Sequence, residues 1–394
     1  MLAEREGSTR GADNAARRGR YVAIGTTDGL LRRVLALALA AAFAPGCGEA
    51  TARAAYRGDR LCGTVEEEQV RWFFETGVSL VGPPAPSRDL VFCGGADRTL
   101  YALHVGTGKA AWQVTTEEQP RTAAVFDADH VYFGTRDGRI HAIDAARGNV
   151  CWSFAAAGPP LFDPVTFSGI VCCGVPLGTA TVLYGIDGSD GSERWSASLP
   201  GGLAGAPACR DGVLYAAEAG RGGGALEAVR IATGEVLWKC ALPRDPPATG
   251  VCLAGRVACF GTAAGALAAV DTAARKLVWM ARPGQESIGG TLSSEGEMIF
   301  AATREGSVYA FAAASGALRW RFAVRSPAPA GLCTYEGMLY VADGAGHVIA
   351  LDVETGLERW RYRTGHAPPM APRVAQGVLY FAAARGRLAA LPIY

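Results

Sequence analysis

Eight tryptophans stand at positions 72, 112, 152, 195, 238, 279, 320 and 360, separated by 40, 40, 43, 43, 41, 41 and 40 residues. Spacing this regular means that one supersecondary unit recurs along the chain and that each copy must bury its apolar face against the next. The copy at 121–154 shows the content of the unit. Ala123 to Phe126 is apolar, Asp127-Ala128-Asp129 turns, and Val131-Tyr132-Phe133 is apolar again. Arg136-Asp137-Gly138 is a hairpin signal, Ile140 to Ile143 a third apolar run, and Val150 to Phe154 a fourth run that carries Trp152. Four short runs joined by tight turns, with no helix-length amphipathic stretch, predict four antiparallel strands per repeat. The fold class expected is all-β, an eight-bladed β-propeller of four-stranded antiparallel blades.

The count of eight comes from the leftovers. Seven copies have third and fourth strands, ending at Trp112 through Trp360. Before them, Gln69 to Phe74 is a fourth strand without predecessors; after them, Val378 to Ala383 and Arg387 to Leu391 are second and third strands, preceded by a first strand expected near Met370 to Val374. Joined, these pieces complete one blade. The N-terminal strand would then close the ring by pairing with the C-terminal blade, which removes an open sheet edge.

Two positions recur with each Trp. Gly stands four residues before it at 108, 148, 191, 234, 316 and 356, where the turn calls for positive φ. Arg275 is the exception, and its hairpin is expected to be less regular. A small residue recurs at Ala102, Ala142, Gly185, Ala228, Ala269, Ala310, Ala350 and Ala390, expected where strands of adjacent blades crowd together. The tryptophans are read as structural, lying in outer strands and packing on the neighbouring blade. Burial of one hides roughly 150–250 Å², about 4–6 kcal/mol as an upper bound.

The first 29 residues are polar and aperiodic. Leu30-Leu31-Arg32-Arg33 then leads into an apolar run, Val34 to Ala44, closed by Pro45-Gly46-Cys47-Gly48. A basic lead, a short apolar core and small residues describe an export signal, and the run is short for a membrane span. Ala44-Pro45-Gly46-Cys47 resembles a lipobox, which makes Cys47 the candidate lipidation site. The domains expected are 1–47 (lead and signal), 48–68 (tether, with Glu66-Glu67-Glu68 solvated) and 69–394 (propeller). The formal charge is +1 overall; the first 47 residues carry seven Arg against four acids, so +3 leaves with them and about −2 remains. A near-neutral body argues against a nucleic-acid partner.

Most of the eleven Cys sit in apolar, strand-like runs without zinc spacing, as small buried hydrophobes. Metalloprotease, nucleophile-elbow and phosphate-loop motifs are absent. Gly220-Arg221-Gly222-Gly223-Gly224 joins two strands and reads as a hairpin tip. His104, His130, His141, His347 and His366 lack ligand spacing and read as surface or cross-strand residues.

The unit Ala-Ile-Asp-x-x-x-Gly-x-x-x-Trp at 142–152, with Ala-Leu-Asp at 350–352, resembles the repeat of PQQ-binding-like (quinoprotein-type) β-propellers over about residues 69–394. Within that family it is most similar to the BamB-type outer-membrane assembly lipoproteins. This resemblance implies a non-catalytic, exported, lipid-anchored scaffold in the periplasm, outer membrane or cell surface. It implies no cofactor, other envelope proteins as partners, and a monomer within a complex. The family also contains quinoprotein alcohol dehydrogenases, which hold pyrroloquinoline quinone and calcium at the propeller axis and stack the cofactor on a disulfide between adjacent cysteines. Cys172-Cys173 is the candidate for that feature, but it aligns with Tyr132-Phe133 in a second strand, where side chains alternate faces. Asp187-Gly188-Ser189-Asp190-Gly191 resembles a calcium loop without its terminal bidentate Glu, since Ser198 stands there, and reads as a strand-connecting turn. Two alternatives therefore stand beside the scaffold: a quinone- and calcium-dependent dehydrogenase, and a cell-surface sensor or glycan binder.

Overall fold

The computed structural model describes residues 63–220, 223–242, 245–324, 331–365, 370–383 and 386–393. Candidate lipidation at Cys47, together with the signal region, and His366 lie outside them.

The strands form eight antiparallel sheets, each a meander whose second and third strands lie between a first and a fourth. Numbered by their first strands, the blades span 80–115, 125–155, 165–199, 202–242, 252–281, 288–323, 331–363 and 373–392. First strands of successive blades touch in order, and that of blade 8 touches that of blade 1, so the contacts close into a ring of eight around an axis. Trp72–Glu75 supplies the fourth strand of blade 8, with Trp72 opposite Ala390 and Glu75 opposite Arg387. The eight-bladed architecture and its N-to-C closure are as the repeat predicts.

Burial explains the sequence pattern strand by strand. Second and third strands face a neighbouring blade on both sides, so Leu90–Gly95 and Thr99–His104 are buried almost throughout. Fourth strands have one face on solvent and alternate, as in Ala110–Thr115 and Leu318–Ala323. The apolar clusters lie between blades: Phe92 and Leu100 of blade 1 pack with Val131, Phe133 and Ile143 of blade 2.

Four local expectations are corrected. The first strand of blade 8, Arg373–Ala375, falls at the end of the expected Met370 to Val374 stretch, but that of blade 2 is Val125–Asp127 instead of starting at Ala123. Chain ahead of Val125 is bound sideways instead: Gly134 donates its amide to Thr122 Oγ1 (2.8 Å), and Ala123 donates to Asp163 Oδ1 (2.7 Å). Secondly, Gly63–Val65, inside the 48–68 stretch, is a strand. It runs parallel to the fourth strand of blade 7, Gly63 opposite Trp360, and Val65 is 3% exposed. A short 3-10 turn, Glu67–Gln69, follows and carries the chain to blade 8.

Thirdly, the small repeated residue sits directly opposite the Trp across the third and fourth strands of one blade. The pairs are Ala102–Trp112, Ala142–Trp152, Gly185–Trp195, Ala228–Trp238, Ala269–Trp279, Ala310–Trp320, Ala350–Trp360 and Ala390–Trp72. The crowding is with the indole: a Cβ on Gly185 would come within 2.1 Å of Trp195. Each Trp then reaches the next blade. Indole Nε1 of Trp72, Trp112, Trp152, Trp195, Trp279 and Trp320 donates at 2.8–2.9 Å to the carbonyls of Val105, Ala145, Gly188, Ile231, Ala313 and Val353. That carbonyl precedes the Gly-bearing turn, and the Gly lies flat on the same indole; a Cβ on Gly148 would stand 2.7 Å from Trp112. The glycines therefore serve both φ and packing.

Arg275 adopts φ 58° at the Gly position. Its hairpin is as regular as the others, since Arg275 donates its amide to the Asp271 carbonyl (2.7 Å) as Gly148 does to Asp144 (2.8 Å). The expectation of an irregular turn is corrected: turn hydrogen bonds hold a non-Gly residue in left-handed backbone.

Candidate functional site

In a meander, turns between second and third strands and connectors between blades lie at one end of the ring. At this end the connectors 120–122 and 160–163 and the turn residue Arg136 enclose a cavity of about 320 Å³. Prolines 120 and 160 stiffen its walls, and Phe162 and Leu161 supply apolar surface. Arg121, an exposed residue, is held by donation from Nε to the Pro160 carbonyl (2.7 Å). Asp163 is the acid of the cavity. Burial raises its carboxyl above the ordinary range, against the Ala123 amide and the charge of Arg373 from blade 8. Two guanidiniums, one carboxylate and an apolar floor suit a polar segment of peptide.

The same end carries two long hairpins. Second and third strands are eight residues each in blade 3 (Ile170–Leu177, Ala180–Asp187) and blade 4 (Val213–Gly220, Gly223–Arg230). Those of the other blades are five or six residues, as in Val257–Gly261 and Met338–Ala342. Leu177 at the blade 3 tip is 56% exposed. The blade 4 hairpin is braced at its base. Lys239 Nζ lies 2.6 Å from both Glu218 Oε2 and Glu227 Oε1, whose side chains are 6% and 4% exposed. Gly201 also donates its amide to Glu218. Burial and the neighbouring Glu218 hold the Glu227 carboxyl above its ordinary range. Burial acts on Glu218 too, but hydrogen bonds from Lys239 and Gly201 bring it below.

Residues singled out for catalysis or ligation are dispersed. Cys172 and Cys173 are free and lie on opposite faces of their strand. Cys172 packs with Leu214 and Val229 of blade 4, whereas Cys173 packs with Tyr132 and Ile140 of blade 2. Asp187 is engaged within its turn by Ser189 and Arg194 and is held well below the usual carboxylate range by them. Among the described residues, no three His, Cys, Asp or Glu converge for a metal. His141 stacks on Phe133 at 5.3 Å and His130 on Tyr132 at 5.9 Å; His347 pairs with Asp343 at 3.0 Å. His104 ends a third strand, exposed.

Sequence reading missed Arg121, Arg136, Asp163 and Leu177 because none belongs to the repeat consensus. One signal was present: the two Trp spacings of 43 fall on blades 3 and 4, whose hairpins are the long ones.

A closed ring of eight blades clasped by repeated indoles defines a propeller of the PQQ-like repeat class. The family profile described as outer membrane protein assembly factor BamB matches residues 17–161, 136–282 and 263–393, and the chain belongs to this family. The outer membrane protein assembly factor BamB of Yersinia pestis is 27% identical over 184 residues, 43% of this chain and 45% of that protein. A putative dehydrogenase XoxF of Paracoccus denitrificans is 28% identical over 156 residues, 34% of this chain and 26% of that protein. These alignments thus span about half or less of the curated relatives. The crystal structure of BamB from Moraxella catarrhalis superposes with a TM-score of 0.66 at 17% identity, covering 82% of this chain and 98% of that one, a likeness of fold.

Proposed function

We propose that this chain is a non-catalytic scaffold of the cell envelope, exported and held at a membrane through Cys47, that binds other proteins during outer-membrane protein assembly. The observation that carries this reading is the loop-bearing end of the ring, where the cavity at 120–122 and 160–163 opens beside the two long hairpins of blades 3 and 4. A rigid ring holds these elements in fixed relation, as a docking platform requires. Membership of the BamB family supports it. A photo-crosslinker at Leu177 should capture an envelope protein in intact cells, whereas one at the similarly exposed Leu318, on an outer strand, should not. Equal capture at both positions, or none at Leu177, would sink the reading. Replacing Cys47 by Ala should release the chain from the membrane fraction.

A second reading, a quinone-dependent dehydrogenase, is favoured by the XoxF similarity. Against it, the faces of Cys172 and Cys173 diverge into different interblade clusters, so they do not form the sulfur platform such a cofactor stacks on. Titration with pyrroloquinoline quinone in calcium separates the two: saturable binding with dye-linked alcohol oxidation would establish the enzyme.

A further inference from the structure

We infer that Cys252 and Cys259 are a disulfide site that locks the first two strands of blade 5. Cys252 opens Cys252–Ala254, and Cys259 lies in Val257–Gly261. The two are direct partners across the antiparallel pair, beyond Leu253–Ala258 and Ala254–Val257. Directly opposed side chains leave a sheet on the same face. Their α-carbons lie about 4.5 or 5.5 Å apart, according to hydrogen-bonding position, and a disulfide spans about 4.4–6.8 Å. Among the described cysteines this register is unique. Cys93 stands opposite Tyr101, Cys209 opposite Leu214, Cys240 opposite Leu226 and Cys333 opposite Tyr340.

Both thiols are free and buried in the structure; Cys259 packs in the cluster between blades 5 and 6, and Cys252 contacts Ser294 of blade 6. Burial pushes Cys252 up to about 11 and holds Cys259 well above the ordinary thiol value, so neither thiolate forms readily once the blade has closed. The bond therefore forms during folding. One thiolate attacks a small-molecule disulfide such as oxidised glutathione, giving a mixed disulfide and one glutathione thiolate. The second cysteine thiolate displaces the other glutathione and closes the Cys252–Cys259 bond. Two protein thiols are oxidised, one glutathione disulfide is reduced, and two protons leave. Blade 5 is short of other restraints at this edge. Its first strand has three residues, and among the described residues the incoming Trp238 lacks the carbonyl bond that six other indoles make.

The inference draws on the envelope reading only for an oxidising compartment. The test supplies its own oxidant, so the two fail separately. The full chain is unfolded, refolded in a mixture of oxidised and reduced glutathione, alkylated and digested with trypsin without reduction. Arg256 lies between the two cysteines, so cleavage puts them in peptides 245–256 and 257–275. The expected product is these two peptides joined, two hydrogens lighter than their sum. Reduction should lower the Tm of the refolded protein but leave the Tm of the Cys259→Ala variant unchanged. Recovery of both peptides separately alkylated would overturn the inference. So would a link from either to another cysteine, or a link between Cys172 and Cys209, which share the cluster between blades 3 and 4, in place of this one.

Discussion

At the residue scale, stability rests on a repeated contact of Trp, turn Gly and opposed small residue. Gly148 combines φ 75° with an indole that would stand 2.7 Å from an added Cβ. Gly148→Ala should therefore cost more than the roughly 1–2 kcal/mol of left-handed backbone alone, because Trp112 must also shift; urea unfolding measures it. Arg275→Gly runs the other way. It removes the strain of a side chain at φ 58° and, net of the freedom that Gly adds to the unfolded chain, should raise stability by up to about 1 kcal/mol in the same urea unfolding. The turn aspartates make a pH prediction. Asp144, Asp187 and Asp271 accept amides of their own turns, and their carboxyls lie below the ordinary value of 3.8. A carboxyl lowered by folding takes up its proton first in the unfolded chain, so its stabilisation is full above 3.8 and is lost as pH falls below it. Tm measured from pH 6 to pH 2 should fall steeply only below about pH 4, and Asp→Asn at these turns should flatten the fall.

At the scale of elements, the outer strands decide what the rim can do. Most put polar residues outward, such as Arg319 and Arg321 in Leu318–Ala323. Lys276–Ala281 presents Leu277, Val278 and Met280, each about two-fifths exposed or more. Gly63–Val65 covers the corresponding edge on blade 7 and buries Val65. Starting the chain at Glu66 would uncover that backbone edge, which unpaired strands readily extend. The expected result is a lower Tm and concentration-dependent association by light scattering; an unchanged Tm and a monomer at all concentrations would show that this strand contributes little. Strand identity in the middle of each blade was legible because both faces are buried and the apolar run is continuous. The parallel edge strand was not: Gly63-Thr64-Val65 has no periodicity of its own and is ordered only by the edge that receives it.

At the scale of the whole molecule, closure is the dominant feature. Trp72–Glu75 and Arg387–Pro392 lie more than three hundred residues apart in sequence yet share a sheet. Removing residues 1–75 should leave blade 8 without its outer strand, and blade 1 without the indole that bonds Val105. We expect a broadened transition by calorimetry, with blades 8 and 1 losing amide-exchange protection first; a transition as sharp as that of the full chain would contradict this role. Periodicity alone determined the fold class, the number of blades, the strand that closes them and the partner role of each Trp. These depend on local turn chemistry and on burial, which repeat every forty residues and so are written eight times. Tertiary structure alone decided the small residue's place beneath the indole, the second use of each Gly and the position of the cavity. It also set the divergence of Cys172 from Cys173 and the meeting of Cys252 with Cys259. These depend on strand register and on contacts between blades, where a shift of one residue turns a side chain to the opposite face.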